Sequence, residues 1–175
     1  MKKMKTKHNM HILLLMLFTS FITFAQEDIF TAARTNNVKL LNKLLVEDIN
    51  RADERGSTAL IIACYNDNFE AAELLLKKGA NPNIQDKMGN TALMGVCFKR
   101  LDKMVQLLLN HNTAINQRNY NGATALIFAA TFGADSIIKI LLDKGADKTI
   151  QDRFSKTALD YAILQENEIA VQLLK

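Results

Sequence analysis

The sequence has few of the side chains that most often carry catalysis or bind metals. It contains three histidines, and only His111 lies beyond residue 25. A zinc site needs several His or Cys ligands at close spacing, and a nucleophilic site needs a base beside the nucleophile. A single histidine near the end of an apolar run offers neither. The sequence therefore predicts no metal site, no cofactor, and no Ser–His–Asp or Cys–His catalytic set.

Cysteine chemistry is limited to Cys64 and Cys97, which are 33 residues apart. The same interval recurs through the chain, so both cysteines should occupy one place in neighbouring helices, where Ala130 stands in the next copy. Stacked helices lie about 8–10 Å apart, whereas the Cα atoms of a disulfide are seldom more than about 7 Å apart. We therefore predict two buried thiols that act as small apolar side chains, and not a disulfide.

These residues are positioned by a repeat with a period of 33 residues. A Thr-Ala-Leu triplet begins at each of Thr58, Thr91, Thr124 and Thr157. A three-residue aliphatic run begins at Leu74, Leu107 and Ile140, and a third series comprises Asn50, Asn83, Asn116 and Thr149. Three features in one register over about 120 residues indicate a repeat architecture.

Each copy has the pattern of two helices joined by a turn. The Thr can cap a first helix, because its hydroxyl accepts a hydrogen bond from a free N–H near the helix start. In the second helix, Ala71 and Leu75 lie four residues apart on one apolar stripe. Gly79, Asn112 and Gly145 follow the second helices of the three copies, and residues of these types tolerate the positive φ that ends a helix.

The pattern Gly-x-Thr-x-Leu, followed by Leu-Leu-Leu and Gly-Ala-Asn or Gly-Ala-Asp, resembles the ankyrin repeat family over residues 27–175. The resemblance implies an all-α solenoid of stacked helix–turn–helix units. The sequence departs from the family where Ala replaces the Pro after Thr, and where its usual His is replaced by Ile61, Met94, Ile127 and Asp160. We expect apolar packing to replace the hydrogen bonds that this His makes between repeats.

We predict a signal peptide at 1–25 and an ankyrin repeat domain at 26–175. Within the domain, an N-terminal cap (27–52) precedes three full repeats (53–85, 86–118 and 119–151) and a C-terminal cap (152–175). The first cap should hold helices from Ile29 to Arg34 and from Val38 to Val46. Glu166, Glu168 and Gln172 can give the last helix pair the polar outer surface that the ends of a solenoid need.

Residues 1–25 have the order of a secretory signal. Four lysines and no acid precede an apolar run from Ile12 to Phe24, which Ala25 closes. A helix that spans the hydrocarbon needs about 20 apolar residues, so we expect cleavage after Ala25 rather than retention as an anchor. The segment resembles the signals of bacterial exported proteins. The expected location is periplasmic or secreted, with no membrane attachment after cleavage.

The formal net charge of +4 comes from this amino-terminal segment. Four of the 22 basic residues lie in it, so 18 basic and 18 acidic residues remain. A neutral domain lacks the excess positive charge that drives binding to a phosphate backbone. Nucleic acid is therefore not an expected partner.

The resemblance also implies that another protein binds the concave side, which the turn tips and the exposed positions of each first helix form. By register, the partner-binding residues are Arg55, Tyr65, Lys87, Met88, Asn90, Phe98, Tyr120, Asn121, Phe132, Arg153 and Phe154. Exposed rings interleaved with Arg and Lys are typical anchors of protein interfaces, and Tyr120 and Phe154 at the turn tips are the strongest candidates. The alternative interpretation is that each ring packs flat between repeats.

The leading hypothesis is a noncatalytic, monomeric interaction module that acts as a scaffold or stabiliser of another exported protein. An alternative is an immunity or inhibitor protein that blocks the active site of a toxin or enzyme. A carboxylate hydrolase is a further alternative, and it would need two facing acids with shifted pKa values. Glu54 is the only acid among the positions assigned to the concave side, which argues against it.

Overall fold

The computed structural model describes residues 28–44 and 48–175, and these residues form ten helices and no extended strand. In chain order the helices are α1 (Ile29–Arg34), α2 (Val38–Leu44), α3 (Ala59–Tyr65), α4 (Phe69–Lys77), α5 (Ala92–Lys99), α6 (Asp102–Leu109), α7 (Ala125–Thr131), α8 (Asp135–Asp143), α9 (Ala158–Leu164) and α10 (Glu168–Leu174). The all-α prediction is confirmed. The predicted signal peptide, residues 1–25, lies outside the described residues, as does the segment 45–47 at the predicted end of α2.

The helices form five antiparallel pairs that stack in chain order. Each odd-numbered helix packs on the next odd-numbered helix, and the even-numbered helices form a second layer behind them. Leu75, Leu108 and Leu141 occupy equivalent positions in the second layer and are fully buried. The stack of helix–turn–helix units that the period predicts is confirmed.

The threonines of the repeated triplet cap the first helices as predicted. The Oγ1 atoms of Thr58, Thr91, Thr124 and Thr157 accept hydrogen bonds from the backbone N–H groups of Ile61, Met94, Ile127 and Asp160 at 3.2, 3.4, 3.4 and 3.3 Å. At Thr157 the bond is part of a capping box, because the Asp160 carboxylate accepts in return from the Thr157 N–H.

We expect Thr124→Ala to lower the free energy of unfolding by about 1 kcal/mol, because the Ile127 N–H loses its acceptor and the cap is buried. Chemical denaturation followed by circular dichroism measures the change. Thr35→Ala is the control: Thr35 is exposed, and its hydroxyl donates only to the Thr31 carbonyl. It should change stability by less than about 0.5 kcal/mol. Equal losses in the two variants would contradict the capping role.

The second helices of the three central pairs end two or three residues before the predicted Gly79, Asn112 and Gly145. Gly79, Asn112 and Gly145 have φ values of 91°, 50° and 86°. The positive φ turns the chain out of the helix and towards the next turn tip. Asn112 replaces Gly in the middle copy because it is one of the few non-glycine residues that adopt this conformation at low cost.

The positions where the resembled family carries His are filled in two ways. Met94 and Ile127 are buried and Ile61 is half-buried, so these three copies use apolar packing, as expected. In the last copy, Asp160 instead completes the capping box of α9.

The asparagine series ties successive turns together. Each Oδ1 accepts a backbone N–H that lies 31 residues further on: Asn50 from Asn81 (2.8 Å), Asn83 from Ala114 (2.7 Å) and Asn116 from Asp147 (2.8 Å). Thr149, the fourth member, instead bonds Asp147 within its own turn. The side chain therefore has a structural role, which is to hold one repeat in register with the next.

Cys64 and Cys97 are buried, free thiols, as predicted. Burial raises the pKa of both thiols, and the negative charge of Asp102 raises that of Cys97 further. Ala130 is equally buried at the equivalent position of α7. The position therefore takes a small side chain wherever another helix pair packs over it.

The last helix pair presents a mixed surface. Glu166, Glu168 and Gln172 are exposed, but so are Ile163 and Ile169, whose side chains are 55% and 62% accessible. The outer surface of this pair is therefore less polar than the sequence analysis predicted. Across the described part of the chain, no helix is long and apolar enough to cross a membrane.

Candidate functional site

The turn tips and the first helices share one exposed surface, which we call the inner face. It consists of the tips at 53–57, 86–90, 119–123 and 152–156, together with the exposed sides of the odd-numbered helices. Between the first two tips and α3 this face contains a groove of about 710 Å³. The arrangement brings together residues that the sequence analysis assigned to partner binding from both the tips and the helices.

The tips are rigid because each carries its own hydrogen-bond network. At the first residue of every tip, one side-chain oxygen accepts the backbone N–H groups two and four residues later; this residue is Asp53, Asp86, Asn119 or Asp152. Successive tips are joined by backbone bonds from Lys87 N to Arg55 O (3.1 Å), Tyr120 N to Met88 O (3.3 Å) and Arg153 N to Asn121 O (2.8 Å). The side chains at the tips are therefore held on a fixed backbone.

Three large apolar side chains project from the tips into solvent. The accessible fractions are 61% for Met88, 72% for Tyr120 and 61% for Phe154. The Arg153 guanidinium lies 4.7 Å from the centroid of the Phe154 ring, so this ring carries a cation on its face. These residues need no burial for the fold, and they remain the strongest candidates for contact with a partner.

A second row of rings follows the ends of α3, α5 and α7. Tyr65 and Phe98 are nearly parallel with centroids 6.3 Å apart, and Phe98 meets Phe132 edge to face at 4.6 Å. The Lys99 ammonium lies 5.2 Å from the centroid of the Tyr65 ring. All three rings remain exposed. They therefore contact each other across repeats, as the packing interpretation requires, and still present apolar surface to solvent.

Two of the predicted residues also have roles within the inner face itself. The Asn90 side-chain oxygen accepts a bond from the Asn119 amide at 2.9 Å, which links the second and third tips. Asn121 is half-buried, and its carbonyl accepts the Arg153 N–H. Both residues are therefore partly committed to the structure of the tips.

The structure adds residues that the register did not identify. Arg34, at the end of α1, lines the groove, and Phe128 lies 6.4 Å from Phe132, centroid to centroid, with a half-buried side chain. Arg34 belongs to the cap, which lacks the repeated Gly-x-Thr opening. Arg34 and Tyr65 each lie two residues before a turn residue with positive φ, Asn36 and Asp67 respectively. Aligning these two turns would have placed Arg34 on the same face as Tyr65.

The exposed charges of the inner face are mainly positive. Five exposed cations lie on it, namely Arg34, Arg55, Lys87, Lys99 and Arg153, whereas Glu54 is its one exposed acid among the described residues. Asp53, Asp86 and Asp152 are buried or half-buried and accept N–H groups of their own tips. The surface that a partner would meet is therefore apolar and cationic.

The carboxyl groups give no sign of a general acid. Burial tends to raise the pKa of Asp152, but bonds from the Tyr161 hydroxyl and the Lys156 and Phe154 amides outweigh it and hold the pKa below its usual value. The hydrogen bond that the Tyr161 hydroxyl donates to the Asp152 carboxylate, at 2.5 Å, also raises the pKa of Tyr161 to about 12. Wherever the pKa of a carboxyl group is shifted among the described residues, the shift is downward. A general acid for hydrolysis needs a raised pKa.

The family comparison covers most of the described chain. A family model described as "Ankyrin repeats (3 copies)" matches residues 78–152 and 115–175, and one described as "Ankyrin repeats (many copies)" matches residues 31–94. Within the described residues, no group of three or more His, Cys, Asp or Glu side chains is placed to hold a metal ion.

Several curated proteins are similar over short segments. The chain is 52% identical to Transient receptor potential cation channel subfamily A member 1 of Homo sapiens over 44 residues, which are 23% of this chain and 4% of that protein. It is 44% identical to the Mitochondrial disaggregase of Bos taurus over 55 residues (30% and 8%), and 38% identical to Ankyrin repeat domain-containing protein 29 of Danio rerio over 60 residues (33% and 20%). The chain thus spans a fifth or less of the length of each of these relatives.

Proposed function

The chain belongs to the ankyrin repeat family, and on that premise we propose that its inner face captures one partner protein without catalysing a reaction on it. Ankyrin repeats generally mediate protein–protein interaction. The observation that carries the proposal is the pair of apolar rows, at the tips and at the helix ends, that stay exposed although the aliphatic core is complete. Exposed aromatic groups beside Arg and Lys are the usual centres of binding energy in protein interfaces.

The proposed role is that of a scaffold or stabiliser for the partner. The tips are joined to each other by backbone hydrogen bonds, so little conformational freedom is lost at the tips when a partner binds. A rigid, multi-repeat surface suits the capture of another folded protein. An inhibitor of the same architecture would be recognised by nanomolar affinity and by loss of the partner's own activity.

We expect the double variant Tyr120→Ala/Phe154→Ala to lose capture of the partner by at least about 100-fold in affinity. Each ring is a large exposed contact on a fixed tip, and truncation of such an anchor weakens binding by about 2 kcal/mol or more. The melting temperature should change by no more than a few degrees, because both rings are largely solvent-exposed. Photocrosslinking from position 121 in native cells, followed by mass spectrometry, identifies the partner, and titration with that partner gives the affinity.

The matched control is Ile169→Ala, which removes an equally exposed apolar side chain from α10, in the second layer. It should leave capture of the partner unchanged. If the control weakens capture as much as the double variant does, or if the double variant binds normally, the inner face is not the docking surface.

We also propose that the chain acts outside the cytoplasm, in the periplasm or after secretion. The proposal rests on the order of lysines, apolar run and Ala25 in the amino-terminal sequence. Mass spectrometry of the protein recovered from the envelope and the medium tests it. A new amino terminus at Gln26 supports export with cleavage, whereas an intact amino terminus in the cytoplasm would contradict it.

A further inference from the structure

The groove on the inner face is lined by charged side chains and by apolar side chains of α3. The cations that line it are Arg55 and Lys87, from adjacent tips, and Arg34, from the end of α1; the acids that line it are Asp53, Glu54 and Asp86. Ile61 and Ile62, in the first turn of α3, line it as well. A volume of about 710 Å³ is within the range of sites that enclose several side chains of a ligand.

The positive charges of this groove are available to a partner. Among residues 28–44 and 48–175, none of Arg34, Arg55 and Lys87 has a carboxylate within the 4.0 Å of an ion pair. An ion pair between Lys77 and Glu73, at 3.0 Å, lies on α4 in the second layer.

The acids beside the groove are already engaged. The Asp53 carboxylate accepts the Arg55 and Ser57 N–H groups, and the Asp86 carboxylate accepts the N–H groups of Met88 and Asn90 in the same way. Charge-assisted hydrogen bonds of this kind hold the two carboxylates in place within their tips without removing their negative charge. Glu54 is left as the exposed acid, against three exposed cations.

We infer that this groove binds an extended segment of a partner protein that carries carboxylates separated by apolar residues. The inference rests on the proposed function, since it names the chemistry of the partner for the same face. Carboxylates of the segment pair with Arg55 and Lys87, and the apolar residues between them contact Ile61, Met88 and the Tyr65 ring. Complementary charge of this kind sets the orientation of the segment and accelerates its binding.

The repeat geometry sets the spacing of the carboxylates. Neighbouring packed helices lie about 8–10 Å apart, and an extended chain advances about 3.3 Å per residue. About three residues of an extended segment therefore pass each tip. In the polyproline II form of an extended chain every third residue returns to the same side, so carboxylates at every third residue face successive tips. The third tip has Tyr120 and Asn121 in place of a cation, and Arg153 follows at the fourth, so three of the four tips offer a cation to such a segment.

A single-stranded nucleic acid is the less suitable occupant, although rings and cations also bind bases and phosphates. A phosphate backbone brings one negative charge per nucleotide along its whole length. Its evenly spaced charges would have to pass Glu54, Asp53 and Asp86, which also line the groove and repel it. Separate carboxylates with apolar residues between them avoid these positions.

Fluorescence anisotropy with the full chain tests the inference. The probe is a twelve-residue peptide of four Glu-Leu-Ser units with a neutral fluorophore, and the comparison probes replace Glu with Gln or with Lys, or are a twelve-nucleotide oligothymidine. We expect the Glu peptide to bind at least about tenfold more tightly than the others. Its affinity should fall several-fold between about 50 and 300 mM NaCl, because exposed charges are screened.

Arg55→Gln/Lys87→Gln should weaken binding of the Glu peptide by about tenfold or more. The matched control, Lys103→Gln/Lys139→Gln, removes two exposed cations from α6 and α8 in the second layer and should bind the peptide as the native protein does. Circular dichroism verifies that both double variants fold, and Lys87→Gln alone, at an exposed side chain, provides a second variant that should also weaken binding of the Glu peptide.

Equal binding of the Glu and Gln peptides, no binding of the Glu peptide, or an unaffected Arg55→Gln/Lys87→Gln variant would each overturn the inference. None of these results touches the proposed function, which depends on capture of the native partner through Tyr120 and Phe154. Tighter binding of oligothymidine than of every peptide would overturn both, because the inner face would then be a nucleic-acid surface.

Discussion

Replacing Gly89 with Ala should lower the free energy of unfolding by about 3 kcal/mol. Gly89 has a φ of 79°, and a Cβ atom built on it lies 2.6 Å from the backbone nitrogen of Tyr120 and 2.7 Å from its ring. The left-handed backbone costs a non-glycine residue about 1–2 kcal/mol, and a forced contact in a packed region adds about 1–3 kcal/mol. The Tyr120 nitrogen cannot move away without breaking its bond to the Met88 carbonyl. Urea denaturation measures the loss.

Gly79→Ala separates the cost of the left-handed backbone from the cost of the forced contact with Tyr120. Gly79 has a φ of 91°, but a Cβ atom there meets nothing within 4 Å. This variant should lose only about 1 kcal/mol, from the backbone strain alone. If the two variants are equally destabilised, the close approach between the second and third tips contributes nothing, and the tips are joined more loosely than the distances indicate. Gly89→Ala should also weaken capture of the partner, because it displaces the Tyr120 ring.

Ala130→Ile should lower the free energy of unfolding by about 2–3 kcal/mol. Ala130 is fully buried in α7, which lies between α5 and α9 in the first layer. An isoleucine there forces neighbouring side chains off their preferred rotamers or shifts the helices apart. Thermal and urea unfolding of the variant measure the effect, and a loss of less than about 0.5 kcal/mol would show that the layer yields to the larger side chain.

The control for this change is present in the chain itself. Ile163 occupies the position of Ala130 in α9, one period later, and its side chain is exposed. Ile163→Ala should therefore change stability by about 0.5 kcal/mol or less. The same pair of residue types, exchanged at equivalent positions, thus separates the effect of burial from that of intrinsic helix preference.

The period of 33 residues, together with the resemblance to ankyrin repeats, predicted the helix pairs of this fold and their stacking. Thr58 and Gly79 could be assigned their roles because each demands one local conformation, whatever the rest of the chain does. Cys64 and Cys97 could be placed in the core because a shared register implies a shared environment. These properties follow from the repeat register and from the local demands of each residue type.

The details of the candidate site depended instead on contacts between side chains of different repeats. The edge-to-face contact of Phe98 with Phe132 was not predictable, since Phe132 lies one residue beyond the exact period. Arg34 was missed because its helix lacks the repeated motif, and the bond between Asn90 and Asn119 requires the relative placement of two tips. Register identifies which face a residue occupies, but not which neighbour its side chain meets.

The reactivity of the two buried thiols, Cys64 and Cys97, can be used to measure local opening of the native protein. A thiol reacts with alkylating reagents as the thiolate, and burial of Cys64 in α3 and Cys97 in α5 holds the pKa of each well above neutrality. In native buffer, labelling therefore requires a transient local opening in which the helix pairs that cover the thiol separate. Each single Cys→Ala variant leaves one thiol, so comparing the labelling rates of the two variants would give the rate of local opening at two adjacent helix pairs without an engineered cysteine.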